Sequence, residues 1–578
     1  MVASDRTPEI SADELALRLQ EGGVVVDVRE TDEYVSGHVP GAVHVPMGQL
    51  PSRLHELDKD APVYVVCASG NRSAAMTDLL AHHGFTAYSV ATGTMGWERS
   101  GRPVERGAAT PGPVTPSDRR ISVVPIETPT LGDRSYLVHD GEVAFVVDPQ
   151  RDIDRVSDLL DELGVRLTHV FETHIHNDYV TGGHALATST GAAYLVNADD
   201  EVAFDRTPVR DGETIGIGER MCVTALATPG HTFTHLSYAL EDTASGERIA
   251  VFSGGSLLYG ATGRPDLLGP DHTGTLVRAQ HASARRLADA LPDSAEVFPT
   301  HGFGSFCSAT QSEATSSTVG EEKRSNPALT QDEETYVREL LAGLGAYPAY
   351  YAHMAPANAA GPSAPDLSAP AQADPGELRR RIEAGEWVVD LRTRTVFAAG
   401  HLPGSLNFGL DGGFATYLGW LVEWGAPLTL LGETAEAVAE AQRELVRIGI
   451  DRPAAAATGT PEEWVAGTGH EVASFRTATF ADLGQVLHHR EVTVLDVRRA
   501  DEHASARIEG AVNIPIHELP RRLDDVPAGE VWVHCAGGYR ASVAASLLDA
   551  AGIPLVAIDD SFHNAARVGL HLVGPEAG

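Results

Sequence analysis

Short β-branched runs ending in an acidic residue recur along the chain: VVVDVR (24–29), WVVDLR (387–392) and TVLDVR (493–498). Continuous apolar runs of this length predict strands buried on both faces. Each is followed by a glycine-bearing turn, GHVPGAVHVP (37–46), GHLPGSLNF (400–408) and ARIEGAVNIP (506–515). A second apolar run then leads into a helical pattern: PVYVVCASGNRSAA (62–75), PLTLLGETAEAVAE (427–440) and EVWVHCAGGYRASVAA (530–545). These helices are expected to close at Gly84, Gly449 and Gly552, since glycine readily takes the left-handed conformation of a helix C-cap. The register follows by subtraction. Cys67 precedes Gly84 by 17 residues and Cys535 precedes Gly552 by 17, whereas the same offset from Gly449 falls on Gly432. The middle copy therefore has the repeated unit without its thiol.

Segments rich in Pro, Gly, Ala and Ser, RGAATPGPVTPSD (106–118) and PANAAGPSAPDLSAPAQADP (356–375), read as flexible linkers. Between them strands and helices alternate in a different pattern. The expected division is 8–106, 119–350, 374–468 and 474–574. The expected fold class is α/β multidomain: three repeated domains with parallel sheets and a larger central α/β domain.

At 578 residues, with 43% hydrophobic and 21% charged residues, the chain has the composition of a multidomain globular protein. Its net charge of −37 disfavours nucleic acid as a partner. No apolar run reaches membrane-span length, and MVASDRTPEI lacks the basic and apolar regions of a secretory signal. Four cysteines in so long a chain point to reactive thiols in a reducing, cytoplasmic setting rather than a disulfide framework. Self-association into a homo-oligomer is compatible with these features.

The loops CASGNR (67–72) and CAGGYR (535–540) leave a strand and enter a helix. Backbone N–H groups in Ser69, Gly70 and Asn71, and in Gly537, Gly538 and Tyr539, can converge on an anion at the helix N-terminus. A cysteine in such a cradle attacks as thiolate, and Arg72 or Arg540 adds a cation suited to an oxyanion. Here the three copies resemble the rhodanese family of sulfurtransferases. The resemblance implies that Cys67 and Cys535 carry sulfur as persulfides, with Arg72 and Arg540 closing the anion loops. Asp27 and Asp496 match strand-end acids of structural role, and His38 is given no catalytic role because Arg507 stands there in the third copy. Phosphatases on this fold have five residues between Cys and Arg. Both loops here have four, which favours sulfur. Cys222 is expected to pack, and Cys307 is ambiguous but reads as structural.

In the central region THIHNDYV (173–180) nearly spells the H-x-H-x-D-H of a two-metal site, with Tyr179 replacing the last histidine. Further on stand ATPGHTFTHLSYAL (227–240), IAVFSGGSLLYGATGRPDLLG (249–269), EVFPTHGFGSFCS (296–308) and SNPAL. Together these resemble the metallo-β-lactamase superfamily, most closely its persulfide dioxygenase branch, and imply an αββα sandwich. The resemblance implies one metal ion, iron or alternatively zinc, held by His174 and His231, with His176 as third ligand and Asp178 as a weaker one. Gly255 occupies the position of the family's ligand aspartate, so partial occupancy is expected, and restoring Asp at 255 is expected to raise metal content. Arg264 and His301 are assigned to substrate binding, Arg264 by its match to a pocket-shaping arginine.

Sulfur transfer coupled to persulfide oxidation is the function these resemblances imply. The partners would be thiosulfate or thiol persulfides as donors, and thiols as acceptors. Two other readings stay open: a zinc-dependent thioester hydrolase fused to sulfurtransferases, and an inactive central scaffold. The middle copy is expected to be structural or docking, its insertion GLDGGFATYLGWLVEWG (409–425) covering a neighbouring surface.

Overall fold

The fold is taken from a computed structural model. It describes residues 9–574 apart from 21–23, 30–33, 35–36, 46, 48–49, 51–56, 58–60, 68–70, 83–84, 92, 101, 105–120, 311 and 313. The chain forms two compact units, Met1–Arg119 and Arg120–Gly578. The expected linker at 106–118, the helix stop Gly84 and the loop residues Ser69 and Gly70 lie outside the described residues.

In the first unit an all-parallel sheet runs in the order Glu9–Ile10, Ala87–Val90, Val63–Val66, Val24–Asp27, Val43–His44. The third copy, in the second unit, repeats this order: Arg476–Ala478, Leu555–Ile558, Val531–His534, Thr493–Asp496, Val512–Asn513. The middle copy has Ala455–Thr458, Leu428–Gly432, Trp387–Asp390 and Leu406–Asn407. In place of an edge strand it makes only a bridge between Gln372 and Ala456. All three end their first long strand with the same device. Asp27, Asp390 and Asp496 are fully buried and bind Arg29, Arg392 and Arg498 at 2.7, 2.6 and 2.6 Å. Each arginine also reaches a carbonyl eight residues on, at Gly37, Gly400 or Ala506. The acids are thus structural: a buried carboxylate needs a paired cation. Gly449 and Gly552 have φ of 79° and 72°, as a glycine helix stop requires.

The central domain stacks two sheets. One has six strands between Ser122 and Val209; the other has five between Thr214 and Pro299. Tyr136, Phe145, Phe171, Tyr238 and Phe252 fill the space between them. Helices Asp154–Leu163 and Gly183–Thr190 cover one outer face and Pro270–Ala290 the other, giving the expected αββα sandwich.

The linker reading of 356–375 needs correction. Residues 356–360 continue helix Tyr351–Ala360, and buried Asn358 donates to the carbonyls of His176 and Tyr179 at 2.9 and 2.8 Å. Ser363 and Ser368 then accept from Arg151 and Gln442. Small residues here permit close packing rather than freedom. Beyond this segment the middle copy docks on the central domain. Buried Arg447 pairs with Asp152 and Glu444, both at 2.6 Å, and its carbonyl accepts Val180 N–H at 2.7 Å. The 409–425 insertion does cover neighbours: Trp420 meets Phe306 of the central domain edge-on at 5.0 Å and stacks on His517 of the third copy at 4.7 Å. One hydrophobic core therefore runs through the central, middle and third domains.

Candidate active sites

Asp148 closes strand Val143–Val147 with φ of 52°, the one non-glycine in positive φ among the described residues. It is held there by Thr173, whose N–H and Oγ1 both donate to its carboxylate, at 2.7 and 2.8 Å. Thr300 donates to the same group. Three loops are thereby tied together, and the strained residue marks where they converge.

The loops deliver three buried imidazoles. His174 Nδ1 contacts Thr173 Oγ1 at 2.9 Å, His231 Nδ1 the carbonyl of Arg264 at 2.9 Å, and His301 Nδ1 Asp133 Oδ1 at 3.0 Å. Thr173 spends its own proton on Asp148, and the carbonyl can only accept. The Nδ1 atoms of His174 and His231 therefore donate and their Nε2 lone pairs stay open. All three Nε2 atoms are buried without a hydrogen-bond partner. The residues offer nitrogens within 4.8 Å of one another. Inward nitrogens with outward N–H groups on oxygen are the arrangement of metal-ligating histidines. Burial lowers His174 well below the ordinary value and, helped by His301, lowers His231 to about 3. Both are neutral and able to donate electron pairs. At His301 burial works against charge, but Asp178 and Asp133 outweigh it and raise the pKa to about 9. Asp133 itself is raised to about 7 by burial and by the neighbouring charge of Asp178.

The resemblance sets His301 near the histidine cluster and assigns it to substrate binding; in the structure it converges with His174 and His231. The reason is the turn after strand Glu296–Pro299, which lays it beside His231 at a ring separation of 5.1 Å. His176 faces away on one side. Its Nε2 lies 3.1 Å from Glu172, 3.3 Å from Asp148 and 3.1 Å from the Tyr179 hydroxyl. Only its Nδ1 is unpartnered; with Asp178 and His301 it forms an adjoining trio. Tyr179 is fully buried and donates to the Asp148 carbonyl at 3.2 Å.

Arg264 also needs correction. Its side chain is 4% exposed and committed to Asp266, Gly345 O and Phe306 O, with its guanidinium 4.5 Å from the Tyr347 ring centroid. It is a buried tie, not a pocket wall, and it serves the site through its backbone carbonyl. At Gly255 a Cβ would lie 2.4 Å from His231 Cδ2, and at Gly263 2.7 Å from His231 Nδ1. An Asp at 255 could complete the site only if the His231 ring moved, because that ring now fills the space. Asp133, Thr173, His235 and Asn358 were missed. His235 accepts the Gly255 N–H at 3.0 Å, and only its nearness to the TPGHT segment could have flagged it.

The thiols follow strand ends as expected. Cys67 comes after Val63–Val66, is 1% exposed, and its Sγ lies 3.5 Å from Ser73 Oγ. Helix Asn71–His82 begins just beyond, with Arg72 in its first turn. Cys535 comes after Val531–His534 and accepts the Gly538 N–H at 3.1 Å. Gly538 has φ of 101°, which requires glycine. Arg540 makes a bidentate pair with Glu502 at 2.6 and 2.9 Å. Tyr539 turns its hydroxyl to Gly409 O at 3.1 Å, leaving only its backbone for the loop. In the middle copy Gly432 ends its strand, and Thr434 caps a helix that starts at Ala435. Cys307, fully buried, lies near Asp178; burial and that charge raise its thiol well above the ordinary value.

The rhodanese-like domain family profile matches residues 11–100, 374–465 and 479–565. The chain is 30% identical over 207 residues to the human protein named "Persulfide dioxygenase ETHE1, mitochondrial", covering 35% of this chain and 74% of that one. It is 39% identical over 79 residues to the Bacillus subtilis (strain 168) protein named "Putative sulfurtransferase YtwF", covering 14% of this chain and 77% of that one. A metallo-β-lactamase crystal structure from Staphylococcus aureus subsp. aureus COL superposes with a TM-score of 0.53 at 28% identity, covering 59% of this chain and 99% of that one. These likenesses and the converging nitrogens support a metal in the central domain. The chain belongs to the rhodanese-like sulfurtransferases, with three rhodanese-like domains joined to a metallo-β-lactamase-fold domain of persulfide dioxygenase kinship, and it is an enzyme of sulfane-sulfur handling.

Proposed function

We propose that Cys67 and Cys535 are the sulfur carriers and that the central domain oxidises persulfides at an iron held by His174, His231 and His301. The domains involved are 8–106, 119–350 and 474–574, with 374–468 carrying no sulfur. In the first reaction a cysteine thiolate attacks the outer sulfur of thiosulfate. The S–S bond breaks and sulfite leaves with the bonding pair. An acceptor thiolate then attacks the outer sulfur of the cysteine persulfide, the cysteine thiolate departs, and a new persulfide is formed. The observation that carries this reading is the Gly538 N–H aimed at Cys535 Sγ, which favours the anionic sulfur.

For the central domain the net reaction is persulfide, dioxygen and water giving thiol, sulfite and two protons. When bound, the metal supplies the redox centre for that oxidation. This chain's residues orient the nitrogens through Thr173, Asp133 and Arg264 O, and can hold a proton at Asp133. Sulfite is shared by both halves, which gives the fusion its chemical sense. Kinship with a persulfide dioxygenase favours this over thioester hydrolysis. The tests are direct: metal analysis of purified protein with persulfide-dependent oxygen uptake, and a one-sulfur mass gain on Cys67 and Cys535 after thiosulfate. Zinc without oxygen uptake, or no mass gain, would remove the respective half.

A further inference from the structure

The Cys535 loop is held by the copy that has no cysteine. Arg394, at the start of the middle copy's helix Arg394–Ala399, donates Nε to Asp559 of the third copy at 2.7 Å and pairs with its own Asp411 at 3.2 Å. A Cβ on Gly538 would lie 2.3 Å from Asp559 Oδ1 and 2.9 Å from Arg394 Nε. The ion pair thus rests directly on the loop glycine whose N–H meets the sulfur. The next residue, Tyr539, donates to Gly409 O, and its ring fills the space that a side chain at Gly412 would need, 2.3 Å from that Cβ position. Three residues on, Ser542 donates to Asn407 Oδ1 at 2.7 Å. Tyr417, from the middle copy's insertion, has its ring 5.7 Å from that of Tyr539. Burial raises the Tyr417 phenol, with Arg540 opposing and Cys535 adding, so the ring stands among the groups of the thiol site.

A loop with two adjacent glycines has much freedom to lose, and an N–H cradle stabilises an anion only when its donors are already aimed. We propose that the middle copy is a working half of the Cys535 site: Arg394 is a positioning residue that keeps the Gly538 N–H on the sulfur, and Tyr417 walls the pocket that receives the sulfur donor. The loss of its cysteine then reflects a change of task. The proposal rests on the reading of Cys535 as a sulfur carrier.

The test uses the full chain with Cys67→Ser, so that Cys535 alone reports. Thiosulfate must load one sulfur on Cys535 in this parent; failure there sinks the sulfur-carrier reading itself. With the parent active, Arg394→Ala is expected to lower kcat/KM for thiosulfate about tenfold or more, since small misplacements at a reacting centre have effects of this size. It is also expected to move the pH midpoint of Cys535 alkylation by iodoacetamide upward, and Arg394→Lys should recover part of both. Tyr417→Ala should raise KM with a smaller change in kcat. Arg381→Ala, whose ion-pair partners Glu377 and Glu386 both belong to the middle copy, should change neither. Loss of activity that tracks melting temperature with an unmoved alkylation profile would mean a merely structural contact and overturn the proposal, as would unchanged kinetics in Arg394→Ala and Tyr417→Ala. If Arg394→Ala does not fold, the KM of Tyr417→Ala decides.

Discussion

His231 donates its Nδ1–H to the backbone carbonyl of Arg264 at 2.9 Å, and its imidazole lies against both Gly255 and Gly263. A side chain at 255 would meet the ring at 2.4 Å, too close for any small adjustment. Gly255→Ala and Gly255→Asp are both expected to displace His231 and lower metal content below wild type. His174→Ala is expected to lower it further. Metal analysis after purification without chelator checks this, and a gain of metal in Gly255→Asp would show that His231 can yield.

Metal uptake should depend on pH in a defined sense. His301 carries a proton up to about pH 9 in the metal-free site, and a ligand nitrogen must lose it. Apparent affinity for zinc or cobalt is expected to rise about tenfold per pH unit below that value, with release of a proton. The sign for stability is opposite. A raised histidine pKa stabilises the metal-free fold fully below the ordinary value of 6.5, and that contribution is lost as pH rises through about 9. Titrations with a pH indicator at several buffered pH values would reveal an affinity that does not change, which is the contrary outcome.

Thiosulfate-dependent sulfur transfer is expected to survive Cys67→Ser or Cys535→Ser singly and to vanish in the double variant. Full activity in the double variant would exclude both thiols.

Gly432→Cys is not expected to restore sulfur transfer in the middle copy. A Cβ there sits 3.1 Å from Val438 Cγ2 and 3.2 Å from Thr434 O, and the helix N-terminus is already capped by Thr434. Ala437 stands in place of the loop arginine. A one-sulfur mass gain on the new thiol would contradict this account.

Arg447 is buried against Asp152 and Glu444 at the junction of the middle copy and the central domain. Arg447→Met leaves buried Glu444 without its cation and Asp152 with only the longer contacts to Arg443 and Arg155, at 3.6 and 3.7 Å, and is expected to cost about 3 kcal/mol. Denaturant unfolding, followed with metal content, reads both the loss and whether the THIHNDYV loop, bonded to the Arg447 carbonyl through Val180, loosens with it.

Local chemistry made much of this legible in one dimension. The recurring VVVD-type strands, the glycine helix stops and the offset of 17 residues placed the thiols and the missing thiol, because strand and helix periods and left-handed glycines are properties of short segments. His174 and His231 were legible as candidates through the resemblance of THIHNDYV and TPGHT to the metallo-β-lactamase motifs. What depended on tertiary structure was which groups meet. His301 joins the trio through a turn more than a hundred residues from His174, and no spacing rule encodes that distance. His176 is drawn aside by Asp148 and Glu172, Arg264 is used up by Asp266 and Gly345, and a Pro- and Ala-rich stretch that reads as a linker becomes a helix clamping the metal loop. Each outcome is set by burial. Once water is excluded, every charge and donor must find a partner, and the partner is whichever group the packed domains bring within reach.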